Sequence, residues 1–233
     1  MPILVGIDGT GSAVMPGRQR DIDYDRAFAN SFVRTICNRA SGQVLYRRGP
    51  VALGGGLSDA ITAGVNHVVS SRRSNPGAPV LLTGYSRGAA GVIVVAKRLK
   101  SQNINVAAML LFDCVDRHLF IDAEIIPDNV AHVFHVQRHP DAGSRESFGN
   151  DGMRYYPAKT KYEPIERFLC THGGMGGCPW DIPPGGKGSD IIDEGFGAGS
   201  NDGPTNVTYD QDARVSRDVW AACVPFMQRY GFI

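Results

Sequence analysis

The sequence predicts an α/β fold, a mostly parallel sheet with helices on both faces in a single domain. Three observations carry this. Continuous apolar runs, PILVGI (2–7), PVLLTG (79–84), VAAMLLFD (106–113) and VAHVFHVQ (130–137), have the pattern of strands covered on both sides. Segments with apolar residues on a helical period lie between them, and strands alternating with helices imply parallel pairing. A chain of 233 residues with 42% hydrophobic and 20% charged residues suits one such domain with a sizeable core.

Each element has its own signal. The run 2–7 ends in the turn-rich DGTGS. From Tyr24 to Ala40, Phe28, Phe32 and Ile36 recur every fourth position and predict one helix. QVLYR (43–47) reads as a strand, and Gly54-Gly55-Gly56 breaks the pattern. Ser58 then reads as the N-cap of a helix with Ile61, Val65, Val68 and Val69 on one side. After the strand at 79–84, AAGVIVVAKRLK is apolar nearly all round as far as Lys97, the mark of a central helix. ERFLCTH (166–172) reads as a further strand, and 211–229 as a last helix with Val215, Val219, Ala222 and Phe226 along one stripe. Residues 173–206 are glycine-rich and show no period, as expected of a functional loop or flap.

A formal net charge of +1 gives no electrostatic case for nucleic acid. No stretch approaches the about 20 apolar residues of a membrane span, and no basic segment leads into an apolar one at the N-terminus. Five scattered cysteines suit reduced thiols, so the chain is expected to be cytoplasmic as synthesised. Cys170, His172 and Cys178 lack the paired spacing of a zinc site, and no metal is expected. Asp190, Asp193, Glu194 and Asp202 fit no calcium-loop spacing and read as solvated charges.

The chemistry is concentrated in LLTGYSRGAAG (81–91). Its G-x-S-x-G pentapeptide lies between an apolar strand and a buried helix, the setting of a nucleophile elbow. There the turn exposes a serine oxygen, glycines at 84 and 88 avoid steric overlap, and the N–H of Arg87 points at a developing oxyanion. Ser86 is the expected nucleophile, and it requires a histidine base. Of six histidines, His172 best matches a base late in the chain before a glycine turn, with His139 second. For the acid, Asp113 ends the strand after the elbow helix, on the sheet edge that Ser86 shares. Asp141, after the next strand, and Asp116 are the alternatives.

IDGTGS, GYSRGAA, LLFDCVD, HVQRHPDAGSRESF and THGGMGG, in that order over residues 7 to 177, resemble an α/β-hydrolase family of unnamed function. That family is related to the phospholipase effectors of bacterial type VI secretion. The resemblance implies an α/β-hydrolase-like fold with Ser86, Asp113 and His172 as the triad. It implies that Asp8-Gly9-Thr10 forms the loop beside the elbow, with a backbone N–H of Gly9 or Thr10 as second oxyanion donor. It also implies a substrate-binding or structural role for Asp8 and for Arg138 or Arg145. Cys114 stands where the family usually has threonine, and HGGMGG departs from its usual histidine turn.

The expected activity is hydrolysis of carboxylic esters, of the esterase, lipase or phospholipase type, through an acyl-enzyme and without a cofactor. A small-molecule or lipid ester is the expected substrate, with peripheral membrane contact, signal-less export as an effector and oligomeric state left open. Two other classes stay open. One is a hydrolase-fold binding protein that has lost its chemistry. The other is a nucleotide-binding protein, suggested by GIDGTGS.

Overall fold

The computed structural model describes residues 1–11, 21–116, 121–197, 200–201 and 203–233. The chain runs through β1 (Ile3–Ile7), α1 (Asp21–Ala27), α2 (Phe32–Arg39), β2 (Gln43–Arg47), α3 (Leu57–Ser74), β3 (Val80–Tyr85) and α4 (Arg87–Lys100). β4 (Val106–Phe112), β5 (Val130–Arg138), β6 (Lys161–Tyr162), β7 (Glu166–Phe168) and α5 (His172–Met175) follow. β8 (Ile191–Asp193), β9 (Phe196–Gly197), β10 (Ser200–Asn201), β11 (Pro204–Thr208) and α6 (Tyr209–Tyr230) complete it.

The main sheet has seven strands in the order β2-β1-β3-β4-β5-β6, with β7 also on β5, and every pairing in it is parallel. Alternation along the strands divides the core in two. Ile3, Val5 and Ile7 pack with Leu57, Ile61 and Ile93 from α3 and α4 on one face. Leu4, Leu81 and Leu110 meet Phe32 of α2 with Val219 and Phe226 of α6 on the other. Each such fully buried aliphatic side chain contributes roughly 1.5–3 kcal/mol.

Four expectations need correction. The helix expected over Tyr24–Ala40 is two, because Ser31 leaves the helical path to hydrogen-bond Asp8 and to cap α2. Gly56, in the left-handed conformation at φ 91°, caps α3 in place of Ser58, which lies inside the helix. The strand expected at 166–172 stops at Phe168, and His172 opens the short α5 behind an N-cap at Thr171. The glycine-rich segment is not an aperiodic loop. β8 and β11 pair antiparallel within it, and Ile192 is buried with Ala142 and Val207.

The functional edge follows from register. Tyr85 of β3 pairs with Phe112 of β4, which pairs with Val136 of β5. The ladder runs one step further, with Ser86 N donating to Phe112 O and Asp113 N to Val136 O. Residues 86, 113 and 138 therefore leave three neighbouring strands at the same edge.

Candidate active site

Ser86 joins β3 to α4 with φ 57° and ψ −130°, a conformation L-residues rarely adopt. Its neighbours explain the glycines. A Cβ on Gly84 would lie 2.6 Å from Ala89 Cα, and one on Gly88 would overlap the carbonyl oxygens of Ile7 and Asp8. Bare backbone at 88 thus lets the end of β1 press against the start of α4. The Arg87 side chain turns away to donate to Ala52 O at 2.6 Å, while its main chain begins the helix.

Three predicted residues meet here. His172 Nε2 is 2.9 Å from Ser86 Oγ, and its Nδ1 is 2.6 Å from Asp113 Oδ2. With Nδ1–H donating to the carboxylate, Nε2 is left to accept the serine proton. Both ring nitrogens are engaged, so His172 is not a metal ligand in this arrangement. Ser86, Asp113 and His172 are all buried, at 4%, 0% and 7% exposure, which shields the hydrogen bonds from water.

Arg138 completes the group. Its Nη1 donates to Asp113 Oδ2 at 2.6 Å, the oxygen that His172 also uses, and its main-chain N–H lies 3.3 Å from Oδ1. Burial alone would push the Asp113 carboxyl up. The hydrogen bond and charge of His172, with those of Arg138, outweigh it and hold the group at about 2. Asp113 is therefore ionised at neutral pH.

His172 is held by its backbone as well as its ring. Thr171 N and Oγ1 donate to Asp212 of α6 at 2.7 and 2.9 Å, and Trp180 N donates to the same carboxylate at 3.1 Å. Tyr85 OH donates to His172 O, and His172 N donates to Ser144 Oγ, each at 2.8 Å. The sequence reading missed Asp212 and Ser144. Asp212 sits in the first turn of a long helix, where acids are common for dipole reasons alone. Only the fold brings it under residue 171.

The loop after β1 corrects one expectation. Gly9 N donates to Asp8 Oδ1 at 2.9 Å, so that amide is not available to an oxyanion. Thr10 N has no acceptor among the described residues. Asp8 is wholly buried and also accepts from Ser31 Oγ at 2.6 Å and Tyr46 OH at 2.9 Å. Burial raises its carboxyl from 3.8 to about 6, against the pull of those hydrogen bonds and of Arg34. Asp8 is a brace for the loop rather than a group facing substrate.

The remaining candidates lie elsewhere. Asp141 is exposed beside His139, which is 3.5 Å away, and neither reaches Ser86. Asp116 accepts from Ala123 N, and its own N–H donates to Asp151, so it braces the loop after β4. Arg145, left-handed at φ 44°, faces Glu194 at 3.7 Å and lies over the Phe148 ring. Glu194, expected to be solvated, is buried, whereas Asp190 and Asp193 do cap exposed turns; Asp202 lies outside the described residues. No group of three potential metal ligands occurs among the described residues, and no helix there is long and apolar enough to cross a membrane.

No protein family and no curated relative matches the sequence. Several solved structures show a partial likeness. Lipase B of Aspergillus fumigatus shares 12% identity over 76% of this chain and 49% of its own, with a TM-score of 0.44. The chain thus spans about half the length of that lipase. A cutinase-like protein from Cryptococcus sp. shares 17% identity over 98% of this chain and 94% of its own, TM-score 0.36. An arylesterase shares 14% over 73% and 68%, TM-score 0.39. At these identities and TM-scores, fold and activity rest on the chain's own topology and the chemistry of the site. The protein has an α/β fold, a mostly parallel sheet with helices on both faces.

Proposed function

We propose that the protein is a serine hydrolase that cleaves carboxylic esters. One observation carries the reading: Ser86 Oγ, His172 and Asp113 form a continuous hydrogen-bonded chain, at 2.9 and 2.6 Å, behind a serine in elbow conformation.

In the proposed reaction Ser86 Oγ attacks the ester carbonyl while His172 Nε2 takes its proton. Asp113 keeps the remaining imidazole proton on Nδ1 and stabilises the imidazolium. The N–H groups of Arg87 and Thr10 receive the oxyanion. Collapse of the tetrahedral intermediate breaks the bond to the alcohol, which leaves with the proton from Nε2. Water, deprotonated by the same nitrogen, then releases the acid and restores Ser86. No cofactor enters the scheme.

The nucleotide reading of GIDGTGS loses support, because Asp8 is buried and takes the Gly9 amide for itself. The other alternative is a hydrolase-fold binding protein without turnover. Ser86→Ala separates the two. It should lower kcat on a chromogenic ester by at least about a thousandfold with the fold intact; turnover at wild-type rate would refute the assignment. Running an acyl-length series with and without phospholipid vesicles tests the lipid substrate that the resemblance implies.

A further inference from the structure

The glycine-rich segment places a charge where a covering loop has no need of one. Glu194, next to β8, has a side chain only 1% exposed. Ser144 Oγ and Arg145 N each donate to it at 3.0 Å, and the Arg145 guanidinium lies 3.7 Å away. Burying a carboxylate is costly unless donors meet it, and all of these donors come from residues 144 and 145.

Those two residues lead to His172 by separate routes. Ser144 Oγ spends its own proton on Glu194, which turns a lone pair toward the N–H of His172 at 2.8 Å. Arg145 is kept in its left-handed conformation and covers Phe148 at 5.7 Å, and Phe148 stands edge-on to the imidazole at 5.3 Å. Arg138 closes the loop from the other side, donating to Ser144 O, Arg145 O and Gly149 O as well as to Asp113. Residues 144–149 are clamped between the carboxylate that orients the imidazole and a carboxylate from the glycine-rich segment.

We infer that Glu194 is a positioning residue for His172, through which the segment 173–206 sets the imidazole against Ser86. The inference rests on the hydrolase reading above. It gives the segment a task different from a flap over the serine. The main-chain pairing of Glu194 N with Gly203 O at 2.9 Å and the burial of Ile192 dock the segment, and Glu194 passes that docking to the base. Removing the carboxylate should therefore impair proton transfer more than substrate binding, since a displacement of about 1 Å costs on the order of a hundredfold in rate.

The test uses Glu194→Ala, Glu194→Gln and Ser144→Ala in the full chain, with kcat and KM on a short chromogenic ester. The low-field proton resonance of the His172–Asp113 hydrogen bond and thermal melts are read in parallel. Glu194→Ala and Ser144→Ala should each lower kcat about 10- to 100-fold with KM within about twofold. The double variant should lose less than the product of the two single losses, because Ser144 lies on one of the two routes from Glu194. Glu194→Gln, which keeps an acceptor for the Ser144 hydroxyl, should recover most of the loss. The low-field resonance should broaden or shift in both alanine variants. Folded variants with wild-type kcat and an unaltered resonance would overturn the inference. If Glu194→Ala does not fold, Ser144→Ala and Glu194→Gln decide by the same criteria. If the wild type turns over no ester, the hydrolase reading fails by itself, and an unmoved resonance in Ser144→Ala would separately end the positioning role.

Discussion

At Ser86 the backbone stores strain of order 1–3 kcal/mol, which the packing of Gly84 and Gly88 makes bearable. Asp8 stores a second cost. Its carboxyl rises from 3.8 to about 6 on folding, so between those values the folded chain binds more protons than the unfolded one. A raised carboxyl favours the folded state at low pH, and that advantage is lost as pH climbs through about 6. The difference corresponds to about 3 kcal/mol. Asp8→Asn, which has no charge to bury, should gain on the wild type from about pH 4 to about pH 6 and then level off. Urea melts across that range check it, and a difference independent of pH would contradict the desolvation of Asp8. The carboxylate remains in place at neutral pH because three donors hold it, and they fix the loop after β1.

Elements divide by whether their cause is local. β1, β3, β4 and β5 were legible because each is a long apolar run buried on both faces, and α4 because it is apolar almost all round. The break between α1 and α2 was not, since the period of Phe28, Phe32 and Ile36 continues across it. Its cause is Ser31 reaching Asp8, 23 residues away. The same holds for α5, where Thr171, extended but beyond the end of β7, bonds Asp212 across 41 residues and caps the helix. β8 has three residues, too few for alternation to show, although Ile191 faces out and Ile192 in. The tie between α5 and α6 yields a prediction. Asp212→Ala would strand the buried N–H and hydroxyl of Thr171 and the part-buried N–H of Trp180, and unmet buried donors cost about 1–3 kcal/mol each. It should lower stability by about 3 kcal/mol, while Asp218→Ala on the exposed side of α6 should stay within about 0.5 kcal/mol. Equal effects in chemical denaturation would show that Asp212 carries no special load.

For the whole molecule, parallel topology assembles the site. Strands that run the same way end on one edge, so the order serine, acid, histidine along the chain already implied one neighbourhood. That is why the neighbourhood of Ser86, Asp113 and His172 was legible, while the places of Ser144, Glu194 and Asp212 were not: their contacts are to the residues around His172, and no motif marks them. In the proposed reaction everything depends on activation of the Ser86 hydroxyl by His172. Incubation with a fluorophosphonate, followed by peptide mapping, tests it most directly. One stoichiometric adduct is expected on Ser86, formed far more slowly in His172→Ala. A folded wild type that stays unlabelled, or carries the adduct on another residue, would contradict it.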